Sequence, residues 1–303
     1  MKVKFWGVRG SVPCPGSQTV KYGGNTSCLE MRIDEPDRII IIDAGSGIRE
    51  LGNYLMSSMK QPIAADLFFT HTHMDHIVGF PFFTPLYIPG TKLRIYGPAT
   101  YGEKNLESII GGQMSYHYFP VRLSELSANI TYIDLKEETF DVGDGITVTT
   151  KYLNHPLLCL GYRFEYKGKI FCTTYDTEPY RNVFVTDKND PAYDEAMAYE
   201  GEKAAEEENR RLEDFFSEAD LLVYDTQYTL EEYESSKIGW GHAPVEYAIE
   251  TAARRHVKRL ALFHHDPSRN DVEIDALTPF YCHRDHLNGL SVFFAREGME
   301  VEF

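Results

Sequence analysis

The sequence predicts an α/β fold, and three observations carry that expectation. Short β-branched and aromatic runs bounded by Gly, Pro or Asn alternate with stretches whose apolar residues recur every three or four positions. The chain has 303 residues, long for one compact unit yet within reach of an α/β fold with loop insertions. Its composition, 43% hydrophobic and 25% charged, is near the globular average and suits neither a disordered nor a fibrous chain.

Strand patterns open the chain at residues 2–6, 26–33, 37–42 and 66–69. Between the last two, Ile48, Leu51, Leu55 and Met59 set one apolar stripe on a helix over 46–59, with Ser46 as the expected cap. A strand is expected at 92–96 and a helix at 101–110, ended by Gly111-Gly112. The aromatic loop over 113–120 is bounded by Gly and Pro, which suits a substrate lid and equally a surface loop tucked onto a core. Strands at 146–153, 161–166 and 169–174 follow, the last two joined by a tight turn at Lys167-Gly168. A strand at 221–224, a helix at 245–256 with Pro244 at its first position, and a strand at 259–263 complete the pattern. With no repeat, low-complexity linker or Gly/Ser tether, residues 1–303 are expected to form one domain built from two similar-looking halves.

Charge narrows the partners. The 46 Asp and Glu against 30 Lys and Arg give a net charge of -16, which disfavours a long polyanion, because phosphate contacts need Lys and Arg to replace counterions. Seven of those net charges fall within 187–214, read as a solvated acidic helical insertion. Cys14, Cys28, Cys159, Cys172 and Cys282 are odd in number and scattered, so neither a disulfide framework nor a Cys-only zinc site is expected, and a reducing cytoplasm is the simpler location. No export segment or membrane anchor is visible: the longest aliphatic run, residues 39–42, is far too short to cross a bilayer.

The chemistry concentrates in Thr70-His71-Thr72-His73-Met74-Asp75-His76, directly after an apolar strand pattern. Three imidazoles and one carboxylate lie within six residues. His71 and His73, two apart in an extended turn, can reach one ion from the same side, while Asp75 and His76 turn toward a neighbouring position; borderline ions such as zinc favour this nitrogen and oxygen mix. His155, Asp176 and His264 each follow a strand pattern further along. His265 stands beside His264 and competes with it. His283 and His286 flank Arg284-Asp285 at helical spacing without a further ligand nearby, and His117 and His256 read as surface or loop residues.

His71-Thr72-His73-Met74-Asp75-His76 resembles the HxHxDH signature of the metallo-β-lactamase-fold hydrolases. The resemblance implies a four-layer αββα sandwich, two mixed β-sheets with helices outside. It also implies two divalent metal ions, Zn2+ with Mn2+ as the alternative. His71, His73 and His155 would bind the first metal, Asp75, His76 and His264 the second, and Asp176 would bridge both. Leu262-Phe263-His264-His265-Asp266 resembles the last ligand motif of the phosphodiesterase branch with His264 in register. The signature is shared by thioesterases, lactonases, nucleases, phosphodiesterases and β-lactamases, so it does not by itself name the reaction. The β-lactamases that use a Cys ligand depart here, since Asp176 stands at the bridging position and Cys172 lies four residues earlier.

Gly239-Trp240-Gly241-His242 resembles the extra histidine motif of the RNase Z and small phosphodiesterase branch, as do Val8-Arg9-Gly10-Ser11-Val12-Pro13 and Tyr22-Gly23-Gly24-Asn25-Thr26-Ser27 the opening of that branch. This implies hydrolysis of a small, even cyclic, phosphodiester by a metal-bridging hydroxide that Asp75 orients, with His242 assisting the leaving oxygen. The flexible basic arm by which RNase Z recruits tRNA has no counterpart, the acidic insertion standing instead, so tRNA is not the expected substrate. Asp43 is expected to support a ligand histidine from behind, and Asn25 either to support the centre from behind or to contact substrate; Gly45 and Gly47, before a helix, offer a conceivable phosphate cradle. A thioesterase or lactonase, or a non-catalytic metal sensor, are the competing readings. A homodimer is common in the branch.

Overall fold

The computed structural model describes residues 1–35, 37–99, 105–282 and 289–303. The first half contains β1 (Lys2–Gly7), β2 (Cys28–Ile33), β3 (Arg38–Ile42), α1 (Ile48–Ser58), β4 (Ala64–Phe68), the short α2 (Met74–Ile77), β5 (Lys92–Pro98), α3 (Leu106–Gly112) and β6 (Asn129–Leu135). The second contains β7 (Thr139–Asp141), β8 (Thr147–Tyr152), β9 (Leu160–Tyr166), β10 (Lys169–Thr174), α4 (Glu195–Phe215), β11 (Leu221–Asp225), α5 (Leu230–Glu232), α6 (Val245–Arg254), β12 (Arg259–Phe263), α7 (Asp271–Tyr281), β13 (Ser291–Phe294) and β14 (Glu300–Glu302).

Among the described residues these strands form two seven-stranded sheets, in the orders β14-β1-β2-β3-β4-β5-β6 and β13-β12-β11-β10-β9-β8-β7. Alternation along β3 shows why the layers stack. Ile40 and Ile42 enter the core between the sheets with Phe5, Phe164, Phe171 and Phe263, while Ile39 and Ile41 face outward onto α1 through Ile48, Leu51 and Leu55. The outer face of the second sheet is covered by Leu212 and Phe215 of α4, Val245, Ala248 and Ile249 of α6, and Ile274 of α7. Helices outside two facing sheets make the expected αββα sandwich. Leu51 and Leu55 are fully buried on α1, so truncating either to Ala costs about 2–5 kcal/mol.

Chain direction then sets the position of the chemistry. Strands β3, β4 and β5 run parallel, as do β10, β11 and β12, so their C-terminal ends gather at one edge of the sandwich. In open α/β sheets that edge is where ligands bind.

Several details differ from the sequence expectations. Gly47, not Ser46, is the N-cap of α1 and has no side chain to cap with, while the Ser46 hydroxyl donates to Asn25 Oδ1 at 2.9 Å. Pro244 caps α6 from outside rather than occupying its first turn, its ψ of 147° being extended. The Lys167-Gly168 turn has positive φ at both residues, as a tight hairpin between right-twisted strands requires. The acidic stretch is helical from Glu195, capped by the Asp194 carboxylate on the Met197 N–H; residues 187–194 precede it as turns. Strands β6, β7, β13 and β14 and helix α7 have no counterpart in the sequence reading. The expected helix over 101–110 begins only at Leu106, with 101–104 outside the described residues, as are His283 and His286.

All five cysteines are free. No helix among the described residues is long and apolar enough to cross a membrane.

Candidate metal centre

Each of the predicted residues stands just past a strand end. His71 and His73 follow β4, His155 follows β8, Asp176 follows β10 and His264 follows β12, while Asp75 and His76 lie on α2. Their side chains converge in two groups that share one residue. In the first, His71 Nε2 lies 3.0 Å from His73 Nδ1 and 3.5 Å from Asp176 Oδ2, and His155 Nε2 lies 3.1 Å from His73 Nδ1. In the second, His76 Nε2 and His264 Nε2 both lie 3.3 Å from Asp176 Oδ1, and 3.3 Å and 3.2 Å from Asp75 Oδ2. Asp176 thus turns one carboxylate oxygen to each group.

These side chains fit divalent cations. Donor atoms 3.0–3.5 Å apart are the separation that a tetrahedron of bonds near ~2.0–2.1 Å requires. His76 Nε2 and Asp176 Oδ1 are buried and make no hydrogen bond, a costly arrangement for groups that a cation would satisfy together. Burial opposes charge on Asp75 and Asp176, but the facing imidazoles outweigh it and hold both carboxyls below the usual carboxylate range. Burial, helped by the neighbouring His76, His155 and His73 rings and opposed by Asp176, holds the His71 ring toward its neutral form. The donor set, imidazole with carboxylate, does not select zinc over other divalent ions.

The atoms behind the ligands orient them. His76 Nδ1 donates to Asp43 Oδ2 at 2.7 Å, and Asp43 accepts from the N–H and hydroxyl of Thr70. His155 Nδ1 donates to Gly241 O at 3.0 Å, His264 Nδ1 contacts Gln227 Oε1 at 3.1 Å, and the Ser11 N–H donates to Asp75 Oδ2 at 2.7 Å. Such contacts fix ring tautomer and orientation. Ser11, Asp43 and His264 all hold positive φ, close to 60°, strain of the kind that collects at functional sites. Gly10 is required by close approach: a Cβ there would stand 2.5 Å from the His264 ring.

His242, just before α6, flanks both groups. Its Nδ1 lies 2.8 Å from Asp225 Oδ2, and its ring stacks on His264 with centroids 5.0 Å apart. Burial disfavours the charged ring, but the Asp225 carboxylate outweighs it and pushes the pKa up to about 9. Together with Asp176 and His264, Asp225 and His242 form a third overlapping set of donor atoms.

Of the two adjacent histidines, His264 is the one whose ring faces Asp75 and Asp176. His265 turns away, its Nε2 against Ala295 O at 2.8 Å, and burial drives its pKa down to about 3. The Asn25 amide and backbone are taken up by Glu297 and Ser46. One expectation is corrected. The cradle before α1 is closed: the N–H groups of Gly45 and Ser46 are bonded to Ser27 O and Thr26 Oγ1, and a Cβ on Gly45 would meet Asp75 O at 2.4 Å. Asp225 and Gln227 were not singled out in the sequence, although Asp225 ends an apolar run just as Asp43 does.

Residues 38–187 match the model of the Beta-lactamase superfamily domain. The chain is 29% identical over 188 residues to ribonuclease Z of Staphylococcus epidermidis, covering 60% of this chain and 55% of that protein, so the match spans about half of the relative's length. To ribonuclease Z of Picrophilus torridus it is 23% identical over 298 residues, covering 90% and 88%. Among solved structures, a diphosphatase of the PhnP family superposes with a TM-score of 0.63 at 15% identity, covering 100% and 97%. Sequence, sheet order and convergent His/Asp groups agree: the chain belongs to the metallo-β-lactamase superfamily of metal-dependent hydrolases.

Proposed function

We propose that this protein hydrolyses small phosphodiesters at a dinuclear centre. His71, His73 and His155 would hold one divalent cation, Asp75, His76 and His264 the other, with Asp176 between them. When bound, the cations supply Lewis acidity, generate a water-derived nucleophile at neutral pH and neutralise charge on phosphoryl oxygens.

The observation that carries the reading is the His242–Asp225 pair beside the two groups. An unactivated phosphodiester must expel an alkoxide, a strong base that leaves poorly unless protonated, so a charged imidazole next to the centre serves that step. Asp225 keeps the Nδ1 proton in place, leaving the other ring nitrogen to protonate the departing oxygen. Asp75, fixed by the Ser11 N–H, orients the attacking water as well as ligating. The names of the similar proteins, a ribonuclease and a diphosphatase, support action at phosphorus. The net charge of -16 and the acidic α4 favour a small substrate over tRNA.

Turnover of bis-p-nitrophenyl phosphate, compared with a thioester and a lactone, tests the class: preference for either carbonyl ester overturns it. His242→Ala is expected to lower kcat about 10²–10⁴-fold at full metal content, more so as the leaving alcohol becomes more basic. Unchanged turnover removes His242 from the reaction. Tight tRNA binding at physiological salt would overturn the small-substrate assignment.

A further inference from the structure

His242 reaches the centre at the end of a glycine-rich loop. The loop leaves a π-helical turn, Tyr233–Lys237, and passes through Gly239 and Gly241, whose φ angles are 85° and 83°. A Cβ on Gly239 would meet nothing within 4 Å, and Trp240, between the two glycines, is 56% exposed. Such a backbone has many conformations open to it, yet a general acid works only when its proton is aimed at the departing oxygen. Contacts from outside the loop therefore have to fix it.

Two such contacts come from the segments that carry candidate ligands. His155 Nδ1 donates to Gly241 O at 3.0 Å. The other is made by Glu178, two residues past Asp176. Its Oε2 accepts from the Gly239 N–H at 2.9 Å and from the Tyr233 hydroxyl at 3.1 Å. One carboxylate oxygen thus ties the π-helical turn to the first glycine of the loop.

Both sides of this contact are held. Tyr233 is 1% exposed, and burial together with the Glu178 carboxylate pushes its hydroxyl up to about 12, so it keeps its proton and donates at neutral pH. The Arg181 guanidinium lies over the Tyr233 ring, 5.0 Å from its centroid, which fixes the ring from its face. Glu178 in turn is anchored through its backbone: its N–H donates to Asn154 O at 3.0 Å, and Asn154 Nδ2 donates to Glu178 O at 3.2 Å. Asn154 directly precedes His155, so Glu178 belongs to the frame that carries His155 and Asp176.

We propose that Glu178 is a positioning residue for His242: through Gly239 and Tyr233 it sets where that imidazole stands over the centre. The proposal rests on the phosphodiesterase reading, in which His242 protonates the leaving oxygen, and names the contact that aims it. Among the described residues the Glu178 carboxylate hydrogen-bonds Tyr233 and Gly239 and none of the candidate ligands, so its loss acts on the loop and spares the metals.

Two diesters that share a retained methyl group test it: methyl phenyl phosphate, whose leaving oxygen gains from a proton, and methyl p-nitrophenyl phosphate, whose leaving oxygen departs without one. Glu178→Ala is expected to lower kcat on the phenyl ester about 10–10²-fold, the scale of misplacing a group by ~1 Å, and on the p-nitrophenyl ester by no more than about threefold, at unchanged metal content. Glu178→Gln keeps an acceptor oxygen in place and should recover most of the loss. Equal losses on both esters, no loss on either, a Gln variant as slow as the Ala variant, or a fall in metal content each overturn the assignment. If Glu178→Ala does not fold, Tyr233→Phe decides: it removes one of the two donors and should slow the phenyl ester severalfold without slowing the p-nitrophenyl ester. If the metal-loaded wild type cleaves neither ester, the phosphodiesterase reading fails instead, and Glu178 is judged on the loop itself. The chain has two tryptophans, Trp6 and Trp240, so in a Trp6→Phe background the fluorescence anisotropy of Trp240 reports the order of the loop. Lower anisotropy in Glu178→Ala than in its parent keeps the brace, and equal anisotropy removes it.

Discussion

His73 is exposed and His155 half-buried, whereas Asp75, His76 and His264 are all buried, although both groups meet at Asp176. The outer partners differ in the same sense. Each residue of the buried group is braced by a named partner, Ser11 N–H, Asp43 or Gln227; in the other group Gly241 O stands behind His155 and Thr70 Oγ1 behind His71, and His73 alone has no such brace among the described residues. On the dinuclear reading proposed above, the buried, braced group is the one expected to hold its cation more tightly, and the group that includes the exposed His73 the one expected to be more open to exchange.

The largest expected effect joins the two groups. Asp176→Asn removes charge from both, so metal content should fall from about two to below one per chain, with turnover reduced beyond the roughly 10²–10⁴-fold of a lost general acid. Elemental analysis beside kinetics reads both, and a variant that keeps two metals and full turnover breaks the bridging assignment. Next comes the contrast between groups. His76→Ala leaves the buried Asp43 without its imidazole partner and with only the Thr70 donors, a change worth up to about 3–5 kcal/mol, while His73→Ala at an exposed position should cost about 0.5 kcal/mol or less. Denaturant unfolding in chelator measures both, and equal costs erase the asymmetry.

Asp43→Asn probes the brace alone. It should weaken one metal-binding event about 10–100-fold and leave the other nearly unchanged in a competitive titration; parallel weakening of both would mean that Asp43 supports the fold rather than one site. The smallest effect lies far from the metals and serves as a control. At Asp220, burial works against the carboxylate, but the Lys258 ammonium and the Ile170 N–H outweigh it and set its pKa below 3.8. A depressed folded pKa gives stability that is complete above 3.8 and fades as pH falls through the folded value. The Tm difference between wild type and Asp220→Asn should accordingly hold at pH 7 with or without metal and close in acid. A difference that widens in acid contradicts this.

The uneven legibility of the chain has physical causes. β10 was readable to the residue because six β-rich residues follow a turn whose two positive φ values suit Lys-Gly. β14 was not, because three residues reading Glu-Val-Glu carry no period and become a strand only by pairing with β1 across the whole length of the chain. Ser46 looked like a helix cap by type, yet Asn25 competes for its hydroxyl. The motif around Asn25 could not show that Glu297, 272 residues away, takes its amide.

By itself the sequence determined the candidate donor types and their strand-end positions, because an apolar run followed by His or Asp is a local pattern. It also determined the acidity of α4 and the alternation of strands with helices. Only the tertiary structure decided which atoms meet. The parallel direction of β3, β4, β10, β11 and β12 brings Asp43, His71, Asp176, Asp225 and His264 to one edge, and the backbone at His264, with φ of 63°, sends that ring inward while His265 turns to Ala295. The contact between Glu178 and Gly239 arises the same way, between segments 61 residues apart whose meeting no one stretch encodes. Side-chain chemistry is written locally, but distance and direction between segments follow from packing two sheets face to face, and that is a property of the whole chain.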